Sequence, residues 1–196
     1  MENLQTIAAE NEITHEIKKS LFIAHLIPVA TFQEKLETLK EQHKKARHFV
    51  WAIRQLNEQQ QIVENCTDDG EPRNTSGKPT LEVLKGHNII NAGIITVRYF
   101  GGTKLGTGGL IRAYNDAAQL AVQQVRLIPL DSLYQRMIRV PYQQFHHAKY
   151  LLKLHAIKTL KKNFRASHVD LTLQGREQDI KEAISQLDAL NIQNSE

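Results

Sequence analysis

The sequence predicts an α+β protein of two domains: a β-α domain over residues 1–129, then a small ferredoxin-like α/β sandwich over residues 130–196. Three observations lead there. Apolar residues recur with period two in some stretches and with three-four spacing in others, which marks strands interleaved with amphipathic helices. With 196 residues and 41% hydrophobic content, the chain can fill two cores. Pro129 separates the longest helical pattern from a fresh strand pattern, and the charge balance shifts there. Residues 1–128 hold 15 Lys and Arg against 14 Asp and Glu, whereas residues 129–196 hold 10 against 7.

After a polar start, residues 17–29 form a mostly β-type run interrupted by Pro28. Thr31 and Glu34 then have the spacing of a capping box ahead of Phe32, Leu36 and Leu39, which predicts a helix. Phe49, Trp51 and Ile53 share one face of a period-two stretch, and Ile62 and Val63 can pair with it across polar residues 57–61, giving a hairpin. Residues 67–79, TDDGEPRNTSGKP, are dense in turn formers and read as an exposed loop, with Pro79 starting a short helix that Gly86 ends. Residues 89–99 are apolar and β-branched, the signature of a buried strand.

Leu110, Ala113, Tyr114, Ala117, Leu120, Ala121 and Val125 follow helical spacing and predict a long helix lying on a sheet. Beyond Pro129 the patterns read as a strand over 133–140, a helix over 142–154, a strand over 157–164, a strand through Val169, Leu171 and Leu173, and a helix through Ile180, Ala183, Ile184 and Leu187. This order is that of a ferredoxin-like sandwich whose last strand comes from residue 191 onward or is absent.

The opening residues carry acids where a signal peptide needs basic residues and an apolar stretch. No apolar run approaches the ~18 residues of a membrane span. The expectation is a cytoplasmic protein without membrane contact. The lone Cys66 can form no internal disulfide, which suits a reducing compartment, and reads first as a small buried apolar side chain.

Five of the ten glycines fall in YFGGTKLGTGGL, between the buried strand and the long helix. Glycine lets backbone N–H groups turn toward one point, and the first N–H groups of a helix lack internal partners, a combination that suits phosphate. The anion-binding candidates are therefore Gly101, Gly102, Gly106, Gly108 and Gly109, with Thr103 and Thr107 as hydroxyl donors and Arg98, Lys104 and Arg112 as charges. A second reading gives these glycines only tight turns and close strand-helix packing. The string has neither the Lys-Ser/Thr ending of a P-loop nor the spacing of a dinucleotide fingerprint, so nucleoside triphosphate hydrolysis has no support.

A second electrostatic feature lies in the tail. Residues 132–169 contain Arg136, Arg139, Lys149, Lys153, Lys158, Lys161, Lys162 and Arg165 with no acid among them. His146, Lys149, Tyr150 and Lys153 project together from the expected helix, so this block, with His146, is the nucleic-acid candidate. A solvated basic face that binds nothing acidic is the alternative. His146, His147, His155 and His168 lack metal-ligand spacing, and neither a metal nor a cofactor is expected.

The stretches DDGEP, GKP, RYFGGTKLGTGGLIRAY, KKSLFIAHLIPV and RHFVWA closely resemble the bacterial YigZ branch of the IMPACT family, over most of residues 17–125, and the tail resembles that branch's usual second domain. The resemblance implies an amino-terminal fold of the kind shared by a small-subunit ribosomal protein and the fourth domain of elongation factor G. It implies a second domain similar to that factor's fifth. Both relatives work on RNA, and eukaryotic members of the family are linked to translation control through a ribosome-associated regulator of a starvation-sensing kinase. Carried over residue by residue, Asp68, Asp69, Glu71, Pro72, Gly77, Lys78 and Pro79 form one half of the family signature and residues 98–114 the other. Where the family shows Ser-Gly-Thr-Ala after DDGEP, this chain has Arg73, Asn74, Thr75 and Ser76, so Asn74 has to take the left-handed geometry that glycine favours.

The leading expectation is a non-catalytic protein that binds RNA or the ribosome and is linked to translation regulation. One rival is an enzyme acting on a phosphorylated or acidic small molecule, with Asp68 or Asp69 as base or metal ligand. Another is a protein-interaction module with no nucleic acid. No HExxH, GxSxG or cysteine dyad supports a peptidase.

Overall fold

Alternating apolar positions in the first part of the chain pair into a five-stranded antiparallel sheet with helices on both faces. The structure, a computed structural model, describes residues 4–130 and 133–193. Its elements are β1 (Gln5–Ile7), β2 (Asn11–Ile17), β3 (Ser20–Pro28), α1 (Phe32–Gln42), β4 (His48–Leu56), β5 (Ile62–Thr67), α2 (Gly77–Gly86), β6 (Ala92–Tyr99), α3 (Gly106–Gln123), β7 (Leu127–Pro129), β8 (Tyr134–Pro141), α4 (Tyr142–Leu154), β9 (Lys158–Phe164), β10 (His168–Gly175) and α5 (Glu177–Gln193). It is a mixed α+β chain that divides into two compact units, residues 1–130 and 131–196.

In the first unit the strand order is β2-β3-β6-β4-β5, antiparallel throughout. The central strand β6 is buried from Ala92 to Arg98 because both its faces are covered. One face, with Phe22, Ala24, Leu26, Val50, Ala52 and Ile94, packs under α2 and α3. The other, with Ile27, Phe49, Ile95 and Val97, packs under Phe32, Leu36 and Leu39 of α1. Each such large apolar side chain contributes about 1.5–3 kcal/mol by leaving water. Helix α3 lays Leu110, Ala113, Tyr114, Ala117 and Ala121 on the sheet as their spacing predicts, with Leu120 partly covered, and ends at Gln123, so that Val125, also partly covered, lies just past it. Tyr114 meets Phe22 edge to face at 5.1 Å.

Several boundaries move. Residues 5–7 and 11–17 of the polar start are strands; β1 pairs with β7 (Gln5↔Pro129), tying the start of the chain to the end of the first unit. Three-residue strands carry too little pattern to be read. β6 begins at Ala92 rather than at residue 89. Helix α2 begins at Gly77, two residues before Pro79, and α3 begins at Gly106, so three of the loop glycines belong to its first turn. The hydroxyl half of the capping box does not form: Thr31 makes no side-chain cap, and its hydroxyl lies within hydrogen-bond reach of the Glu10 carboxylate (3.2 Å) and the Pro28 carbonyl (3.3 Å). The loop after β5 is only partly exposed, since Glu71, Thr75 and Ser76 are buried. Cys66 is half-buried against the core, and burial raises its thiol pKa.

The second unit is a three-stranded antiparallel sheet, β8-β10-β9, with α4 and α5 against one face. Val140, Leu151, Leu152, Val169, Leu171, Leu173 and Ile180 form its core. The expected order of strand, helix, strand, strand, helix is present. Residues 191–193 continue α5 rather than opening a fourth strand, and residues 194–196 lie outside the described residues.

Two features of the first unit yield predictions. A Cβ on Gly77 would meet the Thr67 carbonyl oxygen at 2.5 Å, whereas Gly86 has nothing within 4 Å. Gly77→Ala is expected to lower stability by about 1–3 kcal/mol through overpacking. Gly86→Ala, which restricts only the unfolded chain, is expected to leave stability unchanged or raise it by up to about 1 kcal/mol, and urea unfolding of the pair checks this.

His25 faces α1, only 2% exposed, with Nδ1 3.4 Å from the Glu12 carboxylate and no partner at Nε2. Burial, aided by Lys35 and His43 against the pull of Glu12 and Glu10, lowers its pKa to about 4. The unfolded chain takes up this proton near pH 6.5, so stability is expected to fall as pH drops from about 6.5 toward 4. Thermal unfolding between pH 7 and 5 checks it: His25→Phe should flatten that slope.

Candidate functional site

The registers place the end of β2, the starts of β3 and β4 and the ends of β5 and β6 at one end of the five-stranded sheet. The loop from β6 to α3 leaves from this end, and its first glycine is held by a neighbour. A Cβ on Gly101 would lie 2.0 Å from the Lys19 carbonyl carbon and 2.2 Å from the Ser20 nitrogen. The Gly101 N–H donates to the buried Ser20 hydroxyl at 3.1 Å. Only glycine permits that approach, which presses the loop onto the two-residue turn between β2 and β3. Both turn residues, Lys18 (φ 48) and Lys19 (φ 66), adopt the left-handed geometry that tight hairpins require and lysine disfavours.

The rest of the loop is open. Gly102 (φ +86) and Gly106 (φ +71) have nothing within 4 Å of a Cβ position, and Gly102, Thr103, Lys104, Gly106, Thr107, Gly108 and Arg112 are all exposed. Gly109 is half-buried against Leu105. No side chain caps α3, and no acid occupies its first turn, so its first amides carry their partial positive charge unmatched by the protein.

The acidic signature residues are engaged by the protein itself, Glu71 buried and Asp68 and Asp69 half-buried. Glu71 Oε1 accepts from Arg98 Nη1 at 2.5 Å and from the Tyr114 hydroxyl at 2.8 Å, in a group where Arg98 is 6% exposed and Tyr114 fully buried. Burial, then the Glu71 carboxylate, pushes the Tyr114 phenol pKa upward and keeps it protonated. Arg98 therefore already has an anion of its own, while its guanidinium lies 5.4 Å from the Phe22 ring centroid and 5.8 Å from that of Phe100. Asp68 accepts from the Ser76 hydroxyl (2.7 Å) and the backbone N–H groups of Asn74, Ser76 and Gly77, at the start of α2. Burial alone would raise its carboxyl pKa; these hydrogen bonds outweigh it and hold the carboxyl low. Asp69 accepts from the Phe49 N–H at 2.5 Å. Asn74 has φ 62, as its place in the signature requires. Gly77 makes the close approach to Thr67 described above, and Lys78 is exposed beside it.

The same sheet end gathers cations that the linear charge count hides. Lys18, Lys19, Lys44, Lys45, Arg47 and Arg73 are exposed there with Lys104 and Arg112, against the exposed acids Glu16 and Glu41. Sequence reasoning named Lys104 and Arg112 but missed the other six because they come from separate segments. The strongest signal available, Lys18-Lys19 as a hairpin turn, lacks the Asn-Gly chemistry that marks such turns.

In the second unit the nine predicted nucleic-acid residues do not share one face. Arg139 and Lys161 lie on the sheet face away from the helices; Arg136 and Lys162 pair opposite the core residues Leu173 and Leu171 and lie on the helix side of the two edge strands. His146, Lys149 and Lys153 are exposed together on α4, beside Tyr150. Arg139 and Arg165 both donate to Asp170 at 3.3 Å. Burial opposes ionisation of Asp170, yet these arginines hold its carboxyl pKa low. Lys158 is half-buried, with its ammonium unpartnered and its pKa lowered by burial. Among the described residues, no three His, Cys, Asp or Glu side chains are grouped to hold a metal.

The family model described as the Impact N-terminal domain matches residues 18–122, from the lysine turn through α3. An IMPACT family member of Haemophilus influenzae is 33% identical, the match covering 88% of this chain and 84% of that protein. IMPACT family member YigZ of Escherichia coli is 34% identical over 78% of this chain and 76% of its own. A crystal structure described as that of an hypothetical protein aligns with a TM-score of 0.60 at 30% identity, covering 97% of this chain and 93% of the other.

Removing Glu71 strands a buried guanidinium. Glu71→Ala is expected to cost about 3–5 kcal/mol in urea unfolding, whereas joining Glu71→Leu to Arg98→Met should recover a large part of that loss by removing both charges.

Proposed function

The chain belongs to the IMPACT family, and on that premise we propose that it is a non-catalytic RNA-binding protein of the cytoplasm that acts on the ribosome in the control of translation. One observation carries the reading. At one end of the first sheet Lys18, Lys19, Lys44, Lys45, Arg47, Lys104 and Arg112 face solvent around an open glycine loop, while Glu71 is buried on Arg98 and the half-buried Asp68 and Asp69 accept backbone N–H bonds. Clustered cations with backbone amides between them supply the sequence-independent grip that nucleic acid phosphates require. The α4 face with Lys149, Tyr150 and Lys153 offers a second contact of the same chemistry.

The enzyme reading needs Asp68 or Asp69 as a base or metal ligand. Both carboxylates accept N–H bonds from the backbone, which makes them fixtures of the loop rather than proton acceptors for a substrate. Their geometry favours binding over chemistry.

Co-sedimentation with ribosomes over a range of salt tests the proposal. Bound protein should decline as salt rises, the logarithm of the association constant falling by about 0.7–0.9 per phosphate contacted for each tenfold change. Lys19→Gln with Lys104→Gln should make that slope shallower without lowering the melting temperature. Salt-insensitive binding would transfer the role to a protein contact, and no binding at low salt would overturn the proposal.

A further inference from the structure

Phe100 follows Arg98 on β6 by two residues and precedes Gly101, and it is 53% exposed. Lone exposed aromatics are ordinary on protein surfaces. This one differs in its support and its neighbours. The Arg98 guanidinium lies 5.8 Å from its ring centroid and 5.4 Å from that of the fully buried Phe22, and the same guanidinium is pinned by Glu71. The pinned cation thus sits within cation–π distance of both rings and holds the outer one on its inner side, with more than half of the residue still open to solvent. The next residue, Gly101, presses on the Lys18-Lys19 turn, so two exposed ammonium groups come from the segment touching the residue beside the ring.

We propose that Phe100 and the Lys18-Lys19 turn form a subsite for one unpaired nucleotide, the base stacking on Phe100 and its phosphates lying against the lysines. The proposal rests on the RNA reading above and narrows it to RNA that is single-stranded at this point. Duplex RNA offers phosphates to any cationic patch but keeps its bases stacked on each other, so it has no use for an exposed ring. An unstacked base has a free π face, and aromatic side chains bind such faces whatever the base.

Fluorescence anisotropy with a short labelled single-stranded oligoribonucleotide, and with the same sequence as a duplex, tests this on the full chain at low and moderate salt. Phe100→Ala is expected to weaken single-strand binding about 5- to 150-fold, the equivalent of ~1–3 kcal/mol for one stacked base. Duplex affinity should be unchanged. Phe100→Leu, which keeps apolar bulk but has no ring, should lose nearly as much, and Phe100→Tyr should bind like the wild type. Thermal unfolding of all three establishes that the exposed position tolerates them. If Phe100→Ala and Phe100→Leu bind single strands like the wild type while Lys18→Gln with Lys19→Gln weakens both probes, the stacking subsite is overturned and the RNA reading survives. If neither probe binds the wild type at low salt, the RNA reading falls and this proposal with it.

Discussion

A carboxylate shared between a guanidinium and a phenol, all three out of water, ties the first unit together. Glu71 comes from the loop after β5, Arg98 from the end of β6 and Tyr114 from the third turn of α3. A buried ion pair of this kind adds little net stability over a well-packed apolar group, because desolvation offsets most of the attraction. What it adds is position: the acidic loop, the central strand and the long helix are registered to one oxygen atom. The glycine loop lies in the chain between Arg98 and Tyr114, so both of its ends are anchored by the same contact.

That contact also decides where charge appears. Three neighbouring acids would ordinarily neutralise the cations near them. Here Asp68 spends its oxygens on the start of α2, Asp69 on the Phe49 amide and Glu71 on Arg98, so all three are occupied by the fold. At this end of the sheet the three signature acids are thereby engaged within the protein, while the cations around them stay exposed. Strand order, which gathers the cations, together with these contacts, which engage the acids, produces the cationic end of the sheet.

Most of the architecture was legible because it rests on periodicity. The β3, β4 and β6 runs and the apolar stripe of α3 each carry enough residues for the pattern to exceed chance, and the second unit's element order followed for the same reason. Thr31 and Glu34 misled because a hydroxyl has several acceptors within reach, and tertiary neighbours decided among them. Glycine density correctly drew attention to residues 101–109, yet the reasons differ along the string: Gly101 permits a backbone contact, Gly102 and Gly106 a positive φ, and Gly109 lies within a helix. Asn74 was readable from the signature it interrupts. The pairing of Glu71 with Arg98 and Tyr114, and the gathering of Lys18, Lys44 and Arg47, depend on strand order, which no local pattern encodes.

The three-stranded sheet of the second unit has β8 and β9 as its outer strands, each strand-paired on one side only among the described residues. Such edges invite copies of the same chain to zip together. Arg136 and Arg139 on β8, with Lys161 and Lys162 on β9, place like charges along both margins, so two molecules approaching margin to margin repel each other. These side chains thus oppose strand pairing between copies as well as setting the surface potential, and neutralising them removes both effects at once.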